Sequence, residues 1–153
     1  MTAKERRGEN VLNIYLKSDI SAPRRSDAKA MWLVEWVSDK DPEKTVTHDG
    51  FLGLPDTTED EIVLSALIEA LNILNRPCKI RIFTDAQRVF NTLESRSYET
   101  WRARKWLSAS EKPIKNAPLW EIVTNQLTVH DWTITDEDHS FRDYMRSEIK
   151  KWQ

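Results

Sequence analysis

At 153 residues the chain has the size of one domain, long enough to bury a sizeable core. Lys and Arg number 23 against 25 Asp and Glu, so no overall field attracts nucleic acid and any such binding needs a local basic patch. Seven Trp and regular apolar spacing exclude a disordered chain, the single Cys78 excludes an internal disulfide, and no apolar run reaches the length of a membrane span. Cys78 reads as a small buried side chain suited to a reducing compartment, and MTAKERRGEN at the amino terminus lacks the apolar core of a signal peptide. The expectation is a soluble, cytoplasmic protein.

Residues 1–10 are polar and of mixed charge and read as a flexible tail, leaving 11–153 as a single domain. From Val11 to Lys17 the chain alternates, with Leu12, Ile14 and Leu16 on one side and Val11, Asn13, Tyr15 and Lys17 on the other, as in a strand with one well-buried face. A polar connection broken by Pro23 leads to a second strand, Ala30 to Val37, and the turn SDKDPE to a third, Lys44 to Leu52. Asp60 to Asn75 has helical spacing: Glu61, Ser65, Glu69 and Asn72 mark a wet face, and Ile62, Val63, Ala66, Leu67, Ala70 and Leu71 a face that lies on the sheet. Cys78 to Thr84 alternates again, and a helix from Ala86 to Leu93 follows. Asp85 thus stands where a strand hands over to a helix, a place where open α/β sheets carry chemistry and where Asp also commonly caps the helix. Three strands in meander order, a helix and a fourth strand suit a mixed sheet covered by helices.

IFTDAQRVFNTL, a Trp-rich basic segment containing Trp106, and KPIKNAPLW together resemble the bacterial type 1 ribonuclease H pattern, TDSxxV followed by W…KPVKNxxLW. TTEDEIVLSALIEAL is similar to that family's TNNRAELxAxIEAL helix, LTVHDWTI to its last strand, and SFRDYMRSEI to its final helix, for which Asp138 or Ser140 is a candidate cap. The resemblance extends over most of the chain. It implies an α/β, RNase H-like mixed five-stranded sheet, its first three strands an antiparallel meander, with helices on both faces. It further implies hydrolysis of the RNA strand of an RNA–DNA hybrid by two magnesium ions held between carboxylates.

Carried over position by position, that carboxylate set is incomplete. Asp85 and Asp143 match the acids of the fourth strand and final helix, but Lys17 stands for the first-strand Asp and Val63 for the helix Glu. Neither offers an oxygen to a hard cation. Glu61 points the wrong way, two helix positions being a rotation of about 200°. Glu59 is on the right side but one turn earlier, about 6 Å along the axis. Asp19 shares the strand parity of Lys17, roughly 7 Å further on. Two expectations follow. In one, Lys17 pairs with Asp85 or Asp143 and supplies the missing positive charge, so that no metal cofactor is needed and the domain is a non-catalytic nucleic-acid-binding or assembly module. In the other, Asp19, Glu59, Asp85 and Asp143 form a displaced magnesium site and the domain is a divergent, active ribonuclease H. Lys17 also reads as a strand-end lysine snorkelling into water.

For nucleic acid, and an RNA–DNA hybrid first of all, the resemblance points to a basic protrusion bearing Trp101, Arg102, Arg104, Lys105, Trp106, Lys112 and Lys115. Trp101 and Trp106 serve there either as stacking platforms or as props that hold the protrusion to the body. Glu59 and Asp60 replace a pair of Asn that touch the RNA strand in the family, which adds repulsion for a phosphate backbone. His139, alone in the polar loop TDEDHS, reads as solvated, and His48 and His130 as strand residues without chemistry. A third functional class, a protein-interaction domain, requires Trp32, Trp36 or Trp152 to form an exposed apolar patch.

Overall fold

Apolar residues at every second position make Val11–Ser18 (β1) a strand, and Leu12, Ile14 and Leu16 are all buried on one of its sides. The computed structural model describes residues 11–21, 23–38, 41 and 43–153. The expected tail at 1–10 and residues 39, 40 and 42 of the expected turn therefore lie outside the described residues. β1 is central in a five-stranded sheet of order β3-β2-β1-β4-β5. It pairs antiparallel with Ser26–Trp36 (β2), which pairs antiparallel with Val46–Thr57 (β3). On its other edge β1 runs parallel to Lys79–Phe83 (β4), and β4 parallel to Asp131–Thr135 (β5). Parallel neighbours need long crossovers, and the intervening helices provide them.

β2 starts four residues before the expected Ala30 and β3 ends five beyond the expected Leu52, because the two extensions pair with each other in the register Ala28↔Leu54 and Ser26↔Thr57. The ladder, and not hydrophobic alternation, makes this polar stretch a strand. Pro55 is tolerated there because β3 is an edge. Gly50 is required on β3: a Cβ at this position would come within 2.5 Å of the Trp32 ring.

Glu59–Asn72 (α1) begins at Thr58, whose hydroxyl accepts the Glu61 N–H at 3.2 Å. Its buried face, Ile62, Val63, Leu64, Ala66, Leu67, Ala70 and Leu71, lies on the Leu12–Ile14–Leu16 side of the sheet. Gln87–Ser95 (α2), Tyr98–Ala103 (α3) and Ala117–Leu127 (α4) complete this layer, with Val89, Leu93, Tyr98, Trp120, Val123 and Leu127 in the same core. Arg142–Lys151 (α5) covers the opposite side, packing Met145 and Ile149 on Tyr15, Met31, Leu33 and Phe83. Helices thus lie on both faces, and β1 is buried on both sides at Tyr15, where one buried face was expected. No helix among the described residues is long and apolar enough to cross a membrane.

Several local expectations are corrected. Asp85 does not cap α2; the residue before that helix is Ala86, whose N–H is held at 3.1 Å by the Thr84 hydroxyl, leaving the Asp85 carboxylate for other partners. Neither Asp138 nor Ser140 caps α5, which follows Phe141 without a side-chain cap. Leu127 closes α4 and does not open β5, because its side chain belongs to the helical stripe in the core. His130 sits in the turn before β5, where Nδ1 accepts the Cys78 N–H at 3.0 Å. Trp32 is buried, and Trp36 and Trp152 are half-buried. Trp32 donates to Glu69 Oε1 at 3.1 Å, Trp36 packs edge-on against His48, and Trp152 stacks on Phe51.

Candidate functional site

The parallel register Tyr15↔Phe83 decides what faces what at the carboxyl ends of β1 and β4, for Lys17 and Asp85 each lie two residues further along. Lys17 Nζ donates to Asp85 Oδ2 at 2.6 Å. Of the two acids considered for Lys17, the geometry supplies Asp85. The lysine side chain is 15% exposed and the aspartate 56%, so the pair sits at the lip of the sheet with the lysine stem covered. Glu59, the first residue of α1, looks onto the same corner. Burial pushes its carboxyl above the ordinary value, the charges of Asp85 and Asp60 push it further, and Lys17 pulls it partly back. Val63 is one turn further on the same helix stripe and is 2% exposed in the core.

The remaining acids stand apart. Asp143, second residue of α5, has a side chain 81% exposed and faces Arg142 at 3.5 Å and Arg146 at 3.8 Å. The groove at the strand ends is instead lined from α5 by Arg142. Asp19 accepts the Lys29 N–H at 2.8 Å, while its own N–H bonds the Lys29 carbonyl at 3.0 Å; it closes the β1–β2 connection and does not prolong β1 toward Asp85. Asp19 and Asp143 thus have partners of their own, while Glu59 and Asp85 share the corner with Lys17. Among the described residues no three His, Cys, Asp or Glu are placed to hold a metal ion. The ammonium of Lys17 and the isopropyl group of Val63 offer no oxygen to a hard divalent cation.

The loop after β5 forms the far wall of this groove. Its acids are each engaged by a different element: Asp136 accepts Gln87 Nε2 at 3.2 Å, Glu137 pairs with Arg81 at 3.4 Å, and Asp138 with Arg142 at 3.2 Å. His139 is not solvated as expected; its ring packs on Tyr15 at 4.5 Å and Phe83 at 5.5 Å, and Nδ1 accepts the Phe141 N–H at 3.1 Å. Burial pushes its pKa below the ordinary imidazole value, against the pull of Asp138 and Asp85. Sequence reasoning missed this aromatic seat, since Tyr15, Phe83 and His139 meet only once β1, β4 and the loop are assembled. It missed Arg88 and Arg142 as well, although Arg142 follows Asp138 at the helical i, i+4 spacing.

The protrusion is built on α3 and residues 104–116. Its path reverses through left-handed backbone at Lys105, Trp106, Glu111 and Asn116, with an antiparallel bridge between Leu107 and Pro113. Trp101 meets Trp120 edge-on at 5.8 Å, and Trp101 and Trp106 both pack against the main core, so they prop the protrusion. Arg102 is spent similarly, donating to the Thr124 hydroxyl and lying over Tyr98. Arg104, Lys105, Lys112 and Lys115 are exposed, Lys115 at the rim of a second groove beside Asp60 and Arg88.

The RNase H family model matches residues 25–135. The chain is 40% identical over 88 residues to the ribonuclease H of Stutzerimonas stutzeri, covering 58% of each protein. It is 45% identical over 71 residues to that of Cupriavidus necator, covering 46% of this chain and 48% of the relative. The chain thus spans about half the length of these curated relatives. In fold it is similar to the crystal structure of LC9-RNase H1, a type 1 RNase H with the type 2 active-site motif, with TM-score 0.75 at 19% identity over 94% of this chain and 72% of that one. It is similar also to the foamy viral protease-reverse transcriptase in complex with RNA/DNA hybrid, with TM-score 0.59 at 19% identity over 92% of this chain and 19% of that one. From the family match across residues 25–135, the chain belongs to the RNase H family.

Proposed function

We propose that this RNase H domain holds nucleic acid, an RNA–DNA hybrid first of all, without hydrolysing it, and works without a divalent cation between its strand ends. One contact carries the reading: Lys17 Nζ at 2.6 Å from Asp85 Oδ2. A cation beside a carboxylate favours its charged form, and at the end of β4 a side chain supplies that cation. Val63 supports the same reading, because an aliphatic group in the core brings no charge that a metal would have to balance. Arg104, Lys105, Lys112 and Lys115 are the phosphate contacts, which position a backbone without reading its sequence. The free, buried Cys78 suits a reducing, cytoplasmic setting.

A second reading, an active ribonuclease H using displaced carboxylates with magnesium, is favoured by the relatives that bear that name at about 40% identity. It requires Asp19 and Asp143 to leave their present partners. One assay separates the two. Incubated with a labelled RNA–DNA hybrid in magnesium or manganese, the protein is expected to leave the RNA intact while retarding the hybrid in a gel, and retardation weakens as salt rises. Cleavage that stops on Asp85→Asn would sink the proposal.

A further inference from the structure

The two edges of the sheet are built differently. β5 is 5 residues long, whereas β3 runs 12 residues, and among the described residues no strand lies on its outer side. Proteins blunt such edges with short strands, lysines, bulges or proline. β3 carries no Lys or Arg, and its proline and the register shift opposite it both lie at its far end, at Pro55 and between Ser26 and Ala28. The part before them is open. Val46, Thr47, His48 and Asp49 are exposed one after another, Val46 at 59%, so the strand is uncovered on both faces as well as along its edge.

Which backbone groups of β3 are free follows from the neighbouring ladder. The Asp19 N–H bonds the Lys29 carbonyl at 3.0 Å and the Val37 N–H bonds the Val11 carbonyl at 3.2 Å. Both pairs continue the β1–β2 register, so the odd-numbered residues of β2 are engaged by β1. The even-numbered ones therefore bond β3, in the pairs Trp36↔Val46, Val34↔His48, Trp32↔Gly50, Ala30↔Leu52 and Ala28↔Leu54. That leaves the N–H and C=O groups of Thr47, Asp49, Phe51 and Gly53 directed outward. Two residues further on stands Pro55, which has no N–H to give. The free groups are thus centred on Gly50.

We propose that two copies of this chain join edge to edge through β3, antiparallel about a two-fold axis at Gly50, into one continuous sheet. In this register Thr47 of one copy stands opposite Gly53 of the other, and Asp49 opposite Phe51. Every outward group from 47 to 53 then has a partner, with two bonds to each opposed pair. On the other face Val46 comes opposite Leu54, which covers an exposed valine, and His48 opposite Leu52. Neighbouring registers are worse. One centred on Asp49 sets two carboxylates directly opposite each other, and one centred on Phe51 sets Thr47 against Pro55 and loses a donor. The edge therefore matches a second copy of itself in one register, and the inference stands independently of what the domain does with nucleic acid.

The test is sedimentation equilibrium of the full chain across a concentration series, expected to show the 18.0 kDa chain doubling in mass as concentration rises. Asp49→Pro removes one outward N–H and none that bonds β2, so it should keep the wild-type melting temperature and weaken the dimer about tenfold or more. Thr47→Pro repeats that readout at a second outward position. His48→Pro, whose N–H serves β2, should instead lower the melting temperature. Spin labels on Thr47→Cys in a Cys78→Ser background read the register by their separation. At about 3.4 Å per residue the two labelled Cα atoms should lie roughly 20 Å apart, against about 14 Å for a dimer centred on Asp49 and about 27 Å for one centred on Phe51. A chain that stays monomeric at every concentration overturns the proposal. So does a dimer that both Asp49→Pro and Thr47→Pro leave intact, or a label separation that fits another register. None of these outcomes bears on hybrid binding, which gel retardation reads separately.

Discussion

The strand-end corner and the basic protrusion contain the same chemical groups and use them in opposite ways. At the corner, Lys17 is mostly covered and engaged by Asp85 at 2.6 Å, beside the raised carboxyl of Glu59. On the protrusion the aromatic and backbone groups are consumed in holding the shape, through Trp101 on Trp120 and a hydrogen bond of 2.7 Å from the Trp106 N–H to the Trp101 carbonyl, while the cations at 104, 105 and 112 face water. A lysine side chain covered to this degree is best kept beside a carboxylate, and Asp85 at the lip of the sheet provides one. Exposed charges cost almost nothing to keep and stay available to whatever polyanion approaches.

The sharpest way to break this contrast is to exchange the corner's cation for acids. Lys17→Asp combined with Val63→Glu gathers unpaired carboxylates around Asp85 and replaces a core side chain, and should lower stability by about 3–5 kcal/mol in chelator. Magnesium should then raise the melting temperature of the double variant and leave that of the wild type unchanged. A wild type stabilised by magnesium to the same degree would remove the distinction between ammonium and metal on which the corner's role rests.

On the protrusion, props and cations should separate cleanly. Changing Arg104, Lys105 and Lys112 together to Gln is expected to lower hybrid affinity and reduce the salt slope by about 2 to 3, at roughly 0.9 per lost phosphate contact, with stability within about 0.5 kcal/mol of wild type. Trp106→Ala should instead cost about 1–2 kcal/mol of stability through lost packing, and affinity with it. Equal loss of stability in both variants, read by denaturant titration, would show that the cations are structural too.

The smallest effect expected is the pH dependence of the corner. The folded-state pKa of Glu59 is raised, chiefly by burial, so the folded protein takes up this proton at higher pH than the unfolded chain. Its contribution to stability is full below the ordinary carboxylate value and is lost as pH rises through the raised folded value. Glu59→Gln should therefore flatten the stability profile across that window, relative to wild type. His139 gives the opposite slope, since its folded pKa is lowered by burial and stability falls as pH drops through the ordinary imidazole range. Comparing the variant with the wild type at each pH isolates Glu59 from that background. Parallel profiles would mean that Glu59 is not buried at this corner beside Asp85 and Asp60 in solution.

Much of the fold was legible because its signals are local. Alternation along Val11–Ser18 and Lys79–Phe83, and the apolar stripe from Ile62 to Leu71, each report which side of an element is dry. The full lengths of β2 and β3 were not, since Ser26 to Lys29 and Gly53 to Thr57 are strands only by virtue of each other's hydrogen bonds. The same limit governed the site. Position in the chain placed Lys17 and Asp85 at neighbouring strand ends, but could not say that Asp143 would face Arg142 and Arg146 on the outer side of α5, or that Asp19 would be taken by Lys29.

By itself, then, the sequence determined which chemical groups the strand ends and helix starts could bring together: an ammonium at 17, an isopropyl group at 63, acids at 59, 60, 85 and 143. Only the tertiary structure decided who pairs with whom. Lys17 with Asp85 spans 68 positions, and Asp60 with Arg88 joins the starts of two helices. The reason is physical: composition and spacing report the affinity of each residue for water, whereas an ion pair depends on a distance of a few ångströms that exists only after the sheet and its helices have closed around it.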